Sequence, residues 1–377
     1  MKCNGRSAIS GERIEIEFDT AIKNVDPLLT SHAEDAVFIA PGFVDLQVNG
    51  FAGVDFNSPG ASHQDIERAI TAIFSTGVTR FFPTVITGAP NTMLAAMRNL
   101  AAARAALTHG HAIEAIQVEG PHISPADGPR GAHPKEWVRP PDFTEFQRWQ
   151  DAAQGLVRIV TLSPEWPGAP RYIEQITGLG VVAAIGHTRA TPAQLRDAVS
   201  AGATLSTHLG NGAGSPTRSE DFITYQLTEP RLAASFIVDR HHLPDDFLRR
   251  ALDLKGVDRS ILVTDAVAPA MCEPGPYMLG SVPVELREDD RVTLRGAERL
   301  AGSSLRMDRA IGNVMSRAGV GLAQAVTMAS TNPARVGRVP GRLRALQPGS
   351  CADLVRFRIE AGRLEILETW LSGQRVY

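Results

Sequence analysis

Eight short apolar segments recur along the middle of the chain, and stretches with helical periodicity, such as 63–76, 90–107 and 192–200, lie between several of them. The apolar segments are 42–46, 79–84, 115–119, 157–162, 181–187, 203–208, 233–239 and 260–265. Segments that are apolar almost throughout predict strands buried on both faces, and strands that alternate with helices predict a parallel sheet. Because a closed α/β barrel requires eight parallel strands, the sequence predicts a (β/α)8 barrel of the TIM type.

The two ends of the chain follow a different pattern. Apolar and charged residues alternate at 14–19, and short strand-like runs return at 352–357 and 364–370. Alternation with a period of two is typical of strands with one buried face. We therefore expect a small β-sandwich domain formed from residues 1–40 and 346–377, with the barrel at 41–345. Residues 272–300, rich in Gly, Pro and alternating charge, predict a β-hairpin inserted into the barrel.

Charge and cysteine content limit the possible partners. Among 377 residues, 38 Lys and Arg stand against 41 Asp and Glu, a formal charge of −3. Binders of nucleic acid or of membrane surfaces show a basic excess, which this chain lacks. The sequence shows no secretory signal, no apolar run of the roughly 18 residues that a membrane span needs, and no cysteine pattern of a disulfide scaffold. We expect a cytoplasmic protein with a small-molecule partner.

Most of the eight apolar segments end in a side chain able to bind a metal ion or move a proton. These residues are Glu119, His187, His208, Asp239 and Asp265. The carboxyl ends of barrel strands converge on the active face. One carboxylate and two imidazoles, from Glu119, His187 and His208, form a catalytic zinc pattern that leaves a position open for water, and Asp265 would face that water.

Each of these residues also has a plain structural interpretation. Glu119 begins a Glu-Gly-Pro sequence that suits a turn, and Asp265 could cap a helix. A single histidine at a strand end is more often a hydrogen-bonded structural residue than a ligand. The joint interpretation is favoured because four such residues recur at equivalent strand ends in chain order.

Seven motifs extend this pattern along essentially the whole chain. They are PGFVDLQVNG (41–50), EGPH (119–122), GHT (186–188), THL (207–209), LVTDA (262–266), AGS (301–303) and LQPGSCADL (346–354). Each motif alone is weak, but the ordered set resembles the N-acetylglucosamine-6-phosphate deacetylases, a family of metal-dependent barrels in the amidohydrolase superfamily.

The resemblance implies a role for individual residues. Glu119, His187 and His208 fall on the metal ligands of the family and Asp265 on its catalytic carboxylate. The remaining matches are His133, which would polarise the acetamide carbonyl, His242, which would contact the sugar, and Asn211, Gly212 and Arg218, which would hold the phosphate. Arg218 also has a plainer interpretation as a solvated loop cation.

Two departures from the wider superfamily affect the metal and the substrate. Gln47 and Asn49 stand where many amidohydrolases carry His-x-His, and they are poor ligands for a second transition metal. They are interpreted as remnants of a second metal site, so one divalent ion is expected: zinc, with iron, manganese and cobalt as alternatives. After His208, glycine occupies 210 and 212, where the family has an aromatic residue and alanine, which leaves the substrate less defined.

The expected reaction is metal-dependent hydrolysis of N-acetylglucosamine 6-phosphate to glucosamine 6-phosphate and acetate, by a homodimer. The alternatives are the same deacylation on N-acetylgalactosamine 6-phosphate, on an unphosphorylated N-acetyl sugar or on an N-acyl amino acid. A barrel without catalysis, acting as a binding protein, is the alternative from another class.

Overall fold

A computed structural model describes residues 1–28, 36–212, 221–343 and 345–377. In chain order its strands are β1 (Lys2–Ser7), β2 (Arg13–Phe18), β3 (Ile22–Pro27), β4 (Phe38–Pro41), β5 (Phe43–Val48), β6 (Gly50–Phe51), β7 (Val54–Asp55), β8 (Val78–Ile86), β9 (Ile116–Glu119), β10 (Val157–Leu162), β11 (Val182–Ile185), β12 (Leu205–Ser206), β13 (Ala233–Phe236), β14 (Ser260–Leu262), β15 (Gly275–Leu279), β16 (Val282–Leu286), β17 (Val292–Leu294), β18 (Leu354–Glu360), β19 (Arg363–Leu371) and β20 (Gln374–Arg375). The α-helices are α1 (His63–Phe74), α2 (Pro90–Ala106), α3 (Phe143–Ala152), α4 (Ala169–Gly178), α5 (Pro192–Ser200), α6 (Asp221–Thr228), α7 (Asp245–Lys255), α8 (Met307–Ala318), α9 (Leu322–Ala329) and α10 (Thr331–Val336).

Eight parallel strands form the central sheet, in the order β14-β13-β12-β11-β10-β9-β8-β5. All eight predicted apolar segments contribute a strand to it. Val48, in edge strand β5, forms a bridge with Ala266, which lies just beyond the other edge strand, β14. The Asp265 amide donates to the Gln47 carbonyl at 3.0 Å. These contacts bring the edges of the sheet together, and the predicted barrel is confirmed.

The terminal strands form one seven-stranded sheet, in the order β20-β19-β18-β4-β1-β2-β3. Phe18 of β2 and Trp370 of β19 lie four strand positions apart, roughly 19 Å in a flat sheet. Their ring centroids are only 6.1 Å apart, at an interplanar angle of 78°. The sheet therefore folds over on itself around a small core of its own, which includes Ile16 and Leu354.

Residues 275–294 form a separate three-stranded antiparallel sheet, β15-β16-β17, above the carboxyl end of the barrel. Its inner face packs Leu279 and Val284 against Val267 in a third apolar cluster. Leu279 also reaches the central cavity described below, so this small sheet forms part of one cavity wall.

A buried carboxylate joins the terminal sheet to the barrel at the end remote from that cavity. Asp353 accepts hydrogen bonds from Arg80 Nε at 2.8 Å, from Arg342 Nη1 at 2.7 Å and from the Ser372 amide at 2.6 Å. Burial opposes ionisation, but the charges of Arg342 and Arg80 lower the pKa of Asp353 to about 2. Arg80 lies near the start of barrel strand β8, and Asp353 directly precedes β18 of the terminal sheet. The network therefore connects the barrel to the terminal sheet.

The described residues contain neither a disulfide bond nor a membrane-spanning helix. The three cysteines, Cys3, Cys272 and Cys351, all lie in the described part of the chain and form no disulfide. No helix among the described residues is both long and apolar enough to cross a lipid bilayer.

Candidate active site

A cavity of about 290 Å³ opens at the carboxyl ends of the barrel strands. The sequence-predicted residues that line it are Asn49, Glu119, His133, His187, His208, Asn211, Gly212, His242 and Asp265. Gln47 lies directly beneath, bonded to two of them. Arg218 belongs to the segment 213–220 and lies outside the described residues. The barrel thus brings together side chains that are up to 218 positions apart in sequence.

Glu119, the last residue of β9, is the centre of the cluster. Its Oε1 lies 2.9 Å from His208 Nε2 and 3.4 Å from His187 Nε2, and its Oε2 lies 3.9 Å from His133 Nε2. Burial would raise the pKa of Glu119, but the neighbouring His208 and His187 hold it well below its ordinary value. The carboxylate is therefore ionised and surrounded by imidazoles.

The residues around Glu119 fit a divalent metal ion. Ligand atoms of Glu119, His133 and His187 all lie within 4.8 Å of one another. A third imidazole, that of His208, contacts Glu119 Oε1. His133 Nε2 and His187 Nε2 are only 3.3 Å apart, so two ring nitrogens point at the same small volume. One carboxylate and several imidazoles form the mixed oxygen and nitrogen donor set that zinc and similar ions take in proteins.

Asp265 lies across the barrel closure and is held by two amides. Its Oδ1 accepts hydrogen bonds from Gln47 Nε2 at 3.0 Å and Asn49 Nδ2 at 2.7 Å, and Gln47 Nε2 also lies 3.0 Å from Glu119 Oε1. Burial and the negative charge of Glu119 raise the pKa of Asp265 to about 6. The two residues interpreted as remnants of a second metal site therefore fix the orientation of a carboxylate at the cavity.

His133 is carried by the loop after β9 and is oriented by a residue that the sequence interpretation missed. Its Nδ1 lies 2.9 Å from the hydroxyl of Thr87, which directly follows β8 and is itself buried. Burial, followed by the nearby His187, lowers the pKa of His133 to about 3, so its ring is neutral. The position of Thr87 immediately after a barrel strand was the available signal.

His242 is fixed by Asp239, three residues earlier. Asp239 Oδ2 lies 2.6 Å from His242 Nδ1, and Oδ1 accepts the backbone amides of His241 and His242 at 2.9 Å each. Burial opposes ionisation of Asp239, yet His242 lowers its pKa to about 2. His242 lines the cavity, whereas His241 lines a separate groove beside α8.

The glycine-rich loop after β12 lies against His187. Gly212 has a φ of +55°, and a Cβ built on it would lie 2.7 Å from His187 Nδ1. Asn211 Nδ2 donates to the His208 carbonyl at 3.1 Å. A side chain at 212 would therefore require either the imidazole or the loop to shift.

Three site residues have left-handed backbone at the ends of their strands. The φ angles are +50° at His187, +30° at His208 and +50° at Asp265. Residues other than glycine seldom adopt positive φ, and such strain persists only where the surrounding structure imposes it, which is frequent at active sites. At each of these three positions the backbone turns sharply, which places the side chain over the cavity.

The chain is similar to known proteins over nearly its whole length. The amidohydrolase family model matches residues 38–376. The chain is similar to N-acetylgalactosamine-6-phosphate deacetylase of Escherichia coli O157:H7, with 32% identity over 94% of this chain and 92% of the relative. It is also similar to N-acetylglucosamine-6-phosphate deacetylase of Bacillus subtilis, with 32% identity over 90% of this chain and 84% of the relative.

Solved structures show the same fold. A mutant N-acetyl-D-glucosamine-6-phosphate deacetylase of Mycobacterium smegmatis, in complex with N-acetyl-D-glucosamine-6-phosphate, matches with a TM-score of 0.89 and 29% identity, over 100% of this chain and 99% of that one. The N-acetylglucosamine-6-phosphate deacetylase of Pasteurella multocida matches with a TM-score of 0.85 at 22% identity, over 100% of this chain and 99% of that one.

Proposed function

The chain belongs to the amidohydrolase family, and we propose that it hydrolyses N-acetylglucosamine 6-phosphate to glucosamine 6-phosphate and acetate. The observation that carries this proposal is the buried Glu119–His187–His208 cluster with Asp265 beside it, at the carboxyl face of a barrel whose relatives are named for this deacetylation. Nucleophilic serine or cysteine chemistry is not required.

We assign Glu119, His187 and His208 as the residues that would hold one divalent ion, with zinc as the metal and iron, manganese or cobalt as alternatives. A metal ion bound there supplies the Lewis acidity that makes water nucleophilic near neutral pH and polarises a carbonyl group. Glu119, ionised and central in the cluster, is suited to this role.

Asp265 moves the proton. It accepts a proton from the water that attacks the acetamide carbon, and it returns that proton to the nitrogen as the carbon–nitrogen bond breaks, because an amide anion is too basic to leave. Gln47 and Asn49 both bond to Oδ1, which leaves Oδ2 to face the reacting water. A carboxylate held in this way can act as base and then as acid.

His133 stabilises the carbonyl oxygen as negative charge develops on it. When the Thr87 hydroxyl donates to Nδ1, the neutral ring presents Nε2–H towards the cavity. One well-placed donor of this kind is worth roughly 3–4 kcal/mol in the transition state. His242, oriented by Asp239, is placed to contact the sugar.

The phosphate is assigned to the loop after β12, with Asn211 and Gly212 on the cavity wall and Arg218 as a candidate cation from the same loop. We also propose, from the family resemblance, that the protein is a cytoplasmic homodimer. Light scattering on the purified protein tests the dimer, since a mass near one chain of 40.5 kDa would contradict it.

A second candidate substrate is N-acetylgalactosamine 6-phosphate, because one similar relative is named for it. Acetate release by the metal-loaded protein should be measured on both 6-phosphates and on N-acetylglucosamine. We expect the highest kcat/KM on N-acetylglucosamine 6-phosphate. A higher value on the galactose epimer would reassign the substrate, and no acetate from any of them would refute the deacetylase.

A further inference from the structure

We propose that Arg299, which lines the same cavity as the glycine-rich loop after β12, binds the phosphoryl group of the substrate together with that loop. This inference rests on the proposed deacetylation of a sugar phosphate and adds a residue that recognises the anion. Arg299 lies in the connection that follows β17 and lines the same cavity as Asp265 and His133.

The charge of the cavity wall is the first argument. Two carboxylates, Glu119 and Asp265, line it, and Arg299 is the only Lys or Arg among the lining residues that the structure describes. A phosphoryl group carries close to two negative charges at neutral pH. The chain as a whole has a net charge of −3, so a long-range positive field does not attract such a ligand. Recognition of the anion therefore depends on a cation in the cavity wall itself.

The backbone around Arg299 is fixed relative to the reacting groups. The Arg299 carbonyl accepts the Leu294 amide at 2.8 Å, and the Ala301 amide donates to Val292 at 3.0 Å. Two residues further, the Ser303 amide donates to the Asp265 carbonyl at 2.9 Å. One short segment therefore connects Arg299 to the backbone of the proposed proton carrier.

The Arg299 guanidinium has N–H donors that no hydrogen bond to the described residues occupies. Arg299 Nη1 donates to the Gly131 carbonyl at 3.2 Å, on the loop that carries His133, and the described residues give it no ion pair. Of the acidic residues nearby, Asp127 pairs with Arg130 and Glu298 pairs with Arg291. The hydrogen bond and the charge of Arg130 lower the pKa of Asp127, and the charge of Arg299 adds only a small part. A guanidinium has five N–H donors and binds phosphate in bidentate fashion. The guanidinium is thus held by one hydrogen bond, and its other N–H groups are available to a ligand.

Arg299→Gln tests the proposal, with Arg299→Lys to retain the charge and Arg295→Gln as a matched control. Arg295 is an exposed arginine on the same connection that does not line the cavity. Kinetics on N-acetylglucosamine 6-phosphate and on N-acetylglucosamine separate phosphate recognition from catalysis. Inhibition by inorganic phosphate measures anion binding independently of the sugar.

We expect Arg299→Gln to raise KM for the phosphorylated sugar about 10- to 100-fold, with kcat and the kinetics on the unphosphorylated sugar little changed. The inhibition constant of inorganic phosphate should rise in parallel, Arg299→Lys should recover part of the loss, and Arg295→Gln should match the wild type. An equal loss on both sugars, mainly in kcat, would show that Arg299 only fastens the His133 loop, and unchanged kinetics would also overturn the proposal. A wild-type enzyme that prefers the unphosphorylated sugar would instead refute the substrate assignment itself.

Discussion

Thr87 makes the orientation of His133 open to a direct test. Thr87 is 2% exposed, and its hydroxyl lies 2.9 Å from His133 Nδ1. Thr87→Val keeps the shape of the side chain but removes the hydrogen bond, which leaves a buried ring nitrogen without this partner. Leaving a buried polar group unpaired costs about 1–3 kcal/mol.

That cost should appear in the rate of hydrolysis. If His133 must hold one orientation to stabilise the carbonyl oxygen, a loss of about 1–3 kcal/mol in the transition state lowers kcat about 5- to 150-fold. KM should change far less, because the substrate contacts assigned to His242 and the phosphate side are untouched. Acetate release under saturating substrate measures the effect.

Thr87→Ser is the matched control, since it retains the hydroxyl and loses only a methyl group. We expect its kcat to stay within about 3-fold of the wild type, a loss well below that of a deleted buried hydrogen bond. Thermal melting monitored by circular dichroism should show both variants folded. A valine variant with kcat within a factor of about two of the wild type would refute the reasoning. So would a serine variant as impaired as the valine one.

Three further predictions concern other parts of the protein. Asp265→Asn should lower kcat by at least about 100-fold while metal content by mass spectrometry stays at the wild-type level; metal loss would instead place Asp265 among the ligands. Gly212→Val should lower metal content and activity together, because its Cβ would lie 2.7 Å from His187 Nδ1 and its methyl groups would extend beyond the alanine that the family carries there; a fully loaded, active variant would contradict that packing. Asp353→Asn should reduce the free energy of unfolding in urea by about 3–5 kcal/mol without changing kcat, because Arg80 loses a buried partner. The folded-state pKa of about 2 lies below the usual 3.8, so the wild type should lose about 2 kcal/mol of stability as pH falls from 4 to 2, and the variant should lack this loss.

The fold could be predicted because a strand buried on both faces is an almost uninterrupted apolar segment in the sequence. All eight segments form barrel strands, and the segment 157–162 matches β10 residue for residue. The segment 181–187 was predicted too long, since β11 covers only Val182–Ile185. Pairing stops there because the chain turns into left-handed backbone at His187, and sequence composition does not reveal that conformation.

The residues of the site differ in how visible they were in the sequence. Glu119, His187 and Asp265 stand at ends of strands, where a polar side chain interrupts an apolar run. Thr87 also directly follows a barrel strand, but a threonine there is not a metal ligand or a proton carrier and does not stand out in the sequence. Arg299 belongs to a connection with no comparable pattern, and its proximity to the cavity depends on the path of that connection in space. Long-range placement of loops is therefore what the sequence could not supply.

The terminal sheet has a consequence for synthesis of the protein. Strand β4 pairs on one side with β1 and on the other with β18, and residues 42–353 separate it from β18 along the chain. A ribosome adding 5–20 residues per second needs roughly 15–60 s for that stretch. Throughout this interval β4 has an unpaired edge of the kind that invites aggregation. Pairing of β18 with β4 is therefore a late step in folding, and the terminal sheet is completed only after the whole barrel has been synthesised.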